Sequence, residues 1–270
     1  MNVYTYRARQ GAFRMLKSLL LTCLFFSLAP AAVVTLDPAP AGDPVTTPLP
    51  AGKPWIPGWC RWDWRAGWIG QHDGFVAIAK KNPAAITAVF YGDSLTQGWG
   101  SEAKDLFEER YGKRGAVNFG IGGDSTRQLL WRISHGEVDG LSPTVVVLKI
   151  GTNNLYDDAN GGSDEDIAKG ITTVVALLRS TLPKTRVLLL GLLPRQNEWF
   201  SGRVARINAI IAKLDDGKTV RYLDMGAKFA SAPGKVIAEL YNPDQLHLSA
   251  KGYQVWADSM APLFDELMAK

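Results

Sequence analysis

Residues 86–98 read Ile86-Thr-Ala-Val-Phe-Tyr-Gly-Asp-Ser-Leu-Thr-Gln-Gly98. A short apolar run, Ile86–Tyr91, stops at a glycine and gives way to a polar Asp-Ser pair at the mouth of a helix-compatible turn. A run this short, bounded by turn residues, has the pattern of a strand buried on both faces. The pattern recurs at Ala116–Phe119, Thr144–Ile150, Arg186–Leu192 and Val220–Leu223. Helical spacings separate the runs. Ile167, Ile171, Val174 and Leu178 fall 4, 3 and 4 residues apart behind Ser163-Asp-Glu-Asp166, an N-cap serine with an acidic first turn. Tyr253, Trp256, Met260, Leu263 and Leu267 fall 3, 4, 3 and 4 apart and predict a terminal helix kinked at Pro262. Strands alternating with helices predict an α/β domain, a five-stranded parallel sheet with helices on both faces. Such sheets bind ligands at the carboxyl ends of their strands, and that is where the polar motifs of this chain fall.

The composition agrees with a globular domain and narrows its partners. The chain has 270 residues, 46% of them hydrophobic and 21% charged, with a formal charge of +4. That charge is concentrated at the N-terminus, where residues 1–31 hold Arg7, Arg9, Arg14 and Lys17 and no acid. Without them 26 bases face 26 acids, so the body lacks the basic footprint of a nucleic-acid binder. Residues 1–31 read as a secretory signal. Basic residues precede the apolar run Leu19–Leu28, and Ala29-Pro-Ala31 supplies small residues for cleavage. The run is short for a bilayer span, and an uncleaved anchor is the competing reading. The signal predicts a secreted or periplasmic protein, with no stable membrane span after cleavage. Cys60 is then the sole remaining cysteine, so no disulfide forms within the chain, and it reads as a buried small hydrophobe. Residues 32–57, rich in proline, read as a linker, and residues 58–270 as the domain. Five of nine tryptophans follow in quick succession, at 55, 59, 62, 64 and 68. They predict an N-terminal segment pinned across the core, with a carbohydrate-stacking platform as the alternative.

Four motifs sit at strand ends. Ser94 follows the first strand and stands where a nucleophile is well placed, although Asp-Ser is also an ordinary helix cap. The motif lacks the Gly-x-Ser-x-Gly elbow and the Gly-Lys-Ser/Thr of a phosphate loop. Asn118-Phe-Gly-Ile-Gly-Gly-Asp124 follows the second strand, and its glycines expose backbone N–H groups without the spacing of a dinucleotide site. Gly151-Thr-Asn-Asn154 follows the third strand. Asn242-Pro-Asp-Gln-Leu-His247 precedes the terminal helix and presents Asp244 and His247 from one short loop. Each alone is an ordinary turn; four together at one sheet edge are not. The chain has only three histidines, at 72, 135 and 247, and no metal-ligand cluster, so no metal or cofactor is expected. His135 reads as a surface helix end, and His72 is left with an open supporting role.

Taken in order, Gly92-Asp-Ser-Leu95, Gly123, Asn153 and Asp244-x-x-His247 resemble the motif blocks of the SGNH (GDSL) hydrolases, over about residues 86–265. Several stretches are similar to one branch, the catalytic subunits of platelet-activating-factor acetylhydrolase and their bacterial relatives. They are Val117-Asn-Phe-Gly-Ile-Gly-Gly-Asp-Ser-Thr-Arg127, Leu129-Leu-Trp-Arg132, Gly151-Thr-Asn-Asn154 and Leu190-Gly-Leu-Leu-Pro-Arg195. The resemblance implies a flavodoxin-like three-layer α/β/α sandwich. It implies Ser94 as nucleophile, His247 as base and Asp244 as its orienting carboxylate, with an oxyanion hole made by the N–H groups of Ser94 and Gly123 and the amide of Asn153. Leu95, Thr152 and Leu246 are expected to crowd the acyl side and so favour acetyl. Trp199, with Trp99, Tyr156 and Phe200, is expected on the alcohol side. Asp93 and Asp124 read as loop-fixing residues. The leading function is therefore a secreted esterase for short-chain acyl esters, on a small molecule or an acetylated carbohydrate. The competing readings are a lysophospholipase or thioesterase, and a carbohydrate-binding protein without catalysis.

Overall fold

In the computed structural model the main sheet has five parallel strands, β1 (Ala88–Gly92), β2 (Ala116–Gly120), β3 (Val145–Lys149), β4 (Arg186–Leu190) and β5 (Val220–Leu223), in the order β2-β1-β3-β4-β5. The structure describes residues 34–156 and 161–269, so the predicted signal at 1–31 lies outside the described residues. The side chains of β1 and β3 are buried throughout, which is why those strands read as unbroken apolar runs and not as alternations.

Strand geometry still divides the residues between two cores. Val89 and Tyr91 face one side with Val146, Leu148, Val187 and Leu189. Ala88 and Phe90 face the other with Val145, Val147, Leu188 and Leu190. The first side is covered by α1 (Arg65–Lys81), α4 (Thr126–Arg132), α5 (Asp164–Thr181) and α6 (Glu198–Ile211). The second is covered by α3 (Lys104–Arg110) and α7 (Ala250–Ala269). These are the three layers the alternation predicts. The predicted periodicities hold: Ile167, Ile171, Val174 and Leu178 are buried on α5, and Tyr253, Trp256, Met260 and Leu267 on α7. Helix α5 begins with a capping box, Ser163 Oγ accepting the Asp166 N–H and Asp166 accepting the Ser163 N–H. Helix α7 runs through Pro262 within one continuous span.

The strand order places the reversal of winding between β1 and β3. The chain goes out from β1 to β2, then returns across β1 to β3, and crevices form at the carboxyl ends there. Ser94 follows β1, Gly123 follows β2 and Asn153 follows β3, so the crevice gathers three of the four motifs by topology alone.

Residues 47–60, most of them within the stretch read as a linker, are laid along the α/β body. Arg127 donates to the carbonyls of Pro50 (3.0 Å) and Ile56 (3.1 Å), and Thr126 Oγ1 donates to that of Pro54 (2.7 Å). Gln128 donates to the Trp59 carbonyl (2.7 Å), and the Gly58 N–H to the Arg127 carbonyl (3.0 Å). A proline-rich strand suits this role, because its carbonyls accept bonds while its prolines bring no N–H to be buried. Trp59, Cys60 and Trp68 pack with Ile121 and Trp131 in a separate small core. Burial pushes the Cys60 thiol up to about 11, so it behaves as a hydrophobe.

Candidate active site

Ser94 is the first residue of α2 (Ser94–Gln97), a single turn that β1 delivers to the sheet edge. Asp93 caps the turn by accepting the Leu95 N–H (2.9 Å). Gly92 is required by close approach, since a side chain there would collide with the Lys149 carbonyl and Thr96. Beneath the turn Asp93 and Lys149 are both fully buried; burial pushes the carboxyl up and the ammonium down, each tempered by the other's charge.

The fourth motif forms a tight loop. An antiparallel bridge between Tyr241 and Leu248 closes it, and the Asn242 N–H donates to the His247 carbonyl (2.7 Å). Asp244 divides its two oxygens. Oδ1 accepts the N–H groups of Leu246 (3.0 Å) and His247 (2.9 Å), and Oδ2 accepts the imidazole Nδ1–H (2.6 Å). Between them Gln245 takes a φ of 53°, the one positive φ on a non-glycine among the described residues. Desolvation would raise the Asp244 carboxyl, but the imidazole and the two backbone donors outweigh it and hold it below the usual carboxylate range.

The Ser94 hydroxyl donates to His247 Nε2 across 2.9 Å. With Nδ1–H committed to Asp244, Nε2 is left as the acceptor, the tautomer that a base requires. Residues 153 positions apart in the chain thus form one chain of hydrogen bonds, Ser94–His247–Asp244.

The loop that carries Gly123 comes up to Ser94, and Asn153 is tied to that loop. Gly122 faces Ser94: a Cβ on it would lie 3.7 Å from Ser94 Cβ, and its N–H donates to Gln97 Oε1 (3.1 Å). Gly123 has φ +78°, and a side chain there would also come within 2.8 Å of the Trp62 indole nitrogen. Asn153 Nδ2 donates one hydrogen to the Asp124 carbonyl (2.8 Å), and its amide carries a second. The loop after β2 and the turn after β3 are therefore joined at Asp124.

Sequence reasoning left the support of this joint unread. Asp124 is buried and accepts from the Trp68 indole N–H (2.7 Å) and from Arg132 Nη1 (2.6 Å). Arg132, fully buried, also donates to Glu137 (2.8 Å) and to the Phe119 carbonyl (2.5 Å). Glu137 in turn is hydrogen-bonded by His72 Nδ1 (2.8 Å) and Tyr91. Burial opposes ionisation of Glu137, but Arg132 and these hydrogen bonds outweigh it and hold the carboxyl below its usual range. At Asp124 burial prevails, and the carboxyl is pushed up to about 7 against the pull of Arg132. The supporting role left open for His72 is therefore in this network, and the tryptophan at 68 is an anchor of the same joint.

The expected substrate neighbours divide. A cleft of about 550 Å³ beside Ser94 and His247 is lined also by Gln97, Ser101, Glu102 and Asn242. Leu95, Thr152, Leu246 and Trp199 are not among its lining residues. Leu95 and Thr152 are buried, and Thr152 Oγ1 accepts from Arg195 (3.0 Å); Leu246 is half-buried in the Asp244 loop. Trp199 lies 59% exposed on α6, edge-on to Phe200, which itself meets Tyr156. Trp99, expected with them, is instead fully buried among Phe107, Tyr253 and Trp256, because the turn after α2 directs it inward against α7. A second, apolar pocket of about 440 Å³ lies between α6 and the hairpin of β6 (Ala230–Ala232) and β7 (Lys235–Val236), and none of the strand-end motif residues lines it.

Comparison with known proteins bears on the family and the fold. Residues 90–255 match the model of the GDSL-like lipase/acylhydrolase family. The alpha2 subunit of platelet-activating factor acetylhydrolase IB from Rattus norvegicus is 33% identical over 206 residues, covering 74% of this chain and 83% of that protein. A GDSL-like lipase from Bacteroides thetaiotaomicron superposes with a TM-score of 0.60 at 21% identity, covering 72% of this chain and 98% of that one. A catalytic mutant of an acetylxylan esterase from Geobacillus stearothermophilus superposes with a TM-score of 0.53 at 16% identity, covering 65% and 92%. These two show the fold.

Proposed function

Since the chain belongs to the GDSL-like lipase/acylhydrolase family and is an ester hydrolase, we propose that it hydrolyses short-chain acyl esters, acetyl esters of carbohydrates in particular, by a serine mechanism. The observation that carries the reading is the hydrogen-bonded chain Ser94–His247–Asp244 beside the Gly123 loop. Ser94 Oγ attacks the ester carbonyl while His247 Nε2 takes its proton. The tetrahedral oxyanion is met by the N–H groups of Ser94 and Gly123 and by the second amide hydrogen of Asn153. Collapse expels the alcohol, protonated by His247, and leaves an acyl-serine. Water, deprotonated by the same imidazole, then releases the acid and restores the serine. Asp244 holds the tautomer and stabilises the imidazolium.

The polar lining of the cleft, Gln97, Ser101, Glu102 and Asn242, supports a hydroxylated alcohol and speaks against a long-chain lipid, whose acyl chain needs an apolar groove. Acetyl as the acyl group is supported by the relatives named acetylhydrolase. Export is part of the proposal and rests on residues 1–31; among the described residues no helix is long and apolar enough to cross a membrane. The test is a chain-length series of p-nitrophenyl esters run beside acetylated xylan. Preference for acetyl and release of acetate from xylan are expected, and a maximum at about eight carbons or longer would move the enzyme to the lipid acyl hydrolases.

Two further outcomes follow from the geometry. Replacing Asn153 by alanine removes one oxyanion donor and the bond to Asp124, so kcat is expected to fall about 10²- to 10³-fold with KM little changed. A variant retaining most of its kcat would remove Asn153 from the oxyanion hole. The acid limb of the pH profile should include loss of the neutral imidazole. Asp244 is held below the usual carboxylate range, so it stays ionised while a histidine takes up its proton. Only neutral imidazole accepts the serine proton, so activity should fall as the pH is lowered. A profile flat from about pH 5 to 8 would contradict the assignment of the base.

A further inference from the structure

Two tryptophans stand at the surface beside the Gly123 loop, and ester hydrolysis by itself gives them nothing to do. Their neighbours on either side are anchors. Trp59 and Trp68 are buried, with their indole N–H groups committed to the Thr47 carbonyl (2.7 Å) and the Asp124 carboxylate (2.7 Å). Trp62 and Trp64, between these anchors, are 39% and 42% exposed. The turn that carries them is fixed. Arg65 donates to the carbonyls of Val45 (3.0 Å) and Trp62 (3.4 Å), and the Trp68 N–H donates to the Trp64 carbonyl (3.1 Å). The Arg61 guanidinium lies 4.0 Å over the Trp62 ring. The turn, held in this way, displays two large aromatic side chains at the surface.

The position of that surface is set by the glycines. A Cβ on Gly123 would lie 2.8 Å from the Trp62 indole nitrogen and 3.5 Å from Trp64 Cζ2; one on Gly122 would lie 3.7 Å from Ser94 Cβ. The tryptophans thus neighbour the residue that follows Gly122, the one facing the nucleophile. Gln97 links the two ends, accepting from Gly122 and lining the cleft with Ser94. The two indoles therefore meet the same loop whose Gly122 faces Ser94, and the cleft beyond Ser94 is lined by Glu102 and Asn242. One end is aromatic; the other carries a carboxylate, amides and a hydroxyl.

A sugar presents the matching halves. Its axial C–H face stacks on an indole, and its rim of hydroxyls donates to carboxylate and amide oxygens. A phospholipid does not match, since its phosphate would approach the Glu102 carboxylate and its chain would find no apolar wall in the cleft. We infer that Trp62 and Trp64 form a sugar-stacking subsite, holding the glycosyl residue next to the one whose ester lies at Ser94. The inference rests on the serine-esterase reading above and adds residues that lie before the matched family span of 90–255.

The test compares acetylated xylo-oligosaccharides with p-nitrophenyl acetate, an ester with no sugar. For W62A/W64A the ratio of kcat/KM on the oligosaccharide to that on p-nitrophenyl acetate should fall about tenfold or more, chiefly through KM. W62F/W64F keeps a flat ring on each side chain and should recover most of the ratio. In parallel, deacetylated xylo-oligosaccharide is titrated into S94A by tryptophan fluorescence; saturable quenching is expected there and its loss in S94A/W62A/W64A. Equal losses on both substrates would make the tryptophans props of the Gly123 loop and overturn the inference. So would an unchanged ratio, or a selective loss on a lysophospholipid. If S94A still cleaved esters, the serine mechanism would fail, while the fluorescence titration would still decide the subsite.

Discussion

Replacing Ser94 by alanine is expected to lower kcat on p-nitrophenyl acetate by about 10⁶-fold while the fold survives. The size follows from the unity of the hydrogen-bonded chain. In the proposed mechanism the hydroxyl gives its proton to His247 Nε2, 2.9 Å away, and Asp244 holds the imidazole for that exchange. Without the hydroxyl no acyl-enzyme forms, and the remaining donors act only on direct attack by water, a residual of about 10³ over the uncatalysed reaction. His247→Ala should cost about as much, and S94A/H247A no more than either alone, because the groups act as a unit. Stability should hardly move. The Asp93 cap on Leu95 and the Tyr253 bond to the Leu95 carbonyl (2.9 Å) hold the turn without help from the hydroxyl. A fluorophosphonate should label the wild type at Ser94 alone, mapped by peptide mass. Losses that multiply in the double variant, or a label on another serine, would show that the nucleophile lies elsewhere.

How far the sequence reaches is seen by comparing Ser94 with Asp124. Ser94, Gly123, Asn153 and the Asp244–His247 loop were legible because each follows or precedes an apolar run, and strand ends of a parallel sheet converge by topology. The strands were legible for the same reason, to within two residues at their ends. In sequence Asp124 is a loop residue and Arg132 one letter of a motif, since one-dimensional pattern carries no sign that a charge is buried. Their partners come from α1, the loop after β2 and the segment after α4, and only the packed chain brings Trp68, Asp124, Arg132 and Glu137 within reach of one another. Trp99 failed in the opposite direction. Its neighbours in sequence line the cleft, but it occupies the inward side of the turn, and aromatic identity alone does not tell inward from outward. The tryptophans at 59, 62, 64 and 68 divide between burial and exposure for the same reason.

Replacing Arg132 by methionine is expected to be the most destabilising single change at this site. The methionine fills much of the volume but leaves Asp124 and Glu137 buried without their cation, and the Phe119 carbonyl without its donor. Breaking a buried ion pair from one side costs about 3–5 kcal/mol, against at most about 1 for an exposed pair such as Arg110–Asp258. For a domain of this size that is a fall in Tm of about 6–20 °C. Arg132→Lys restores the charge but not the planar fork that reaches Asp124, Glu137 and the Phe119 carbonyl together, so it should recover part of the loss. The catalytic consequence is separable from the thermal one. Asp124 lends its carboxylate to Arg132 and Trp68 and its carbonyl to Asn153, so loosening the carboxylate loosens the amide proposed to meet the oxyanion. Assayed well below its Tm, the lysine variant should therefore lose kcat with KM held, and Trp68→Phe, which removes one donor to Asp124 and keeps the ring, should lose kcat in the same manner. A lysine variant with lowered Tm and undiminished kcat would restrict the network to stability and cut its link to Asn153.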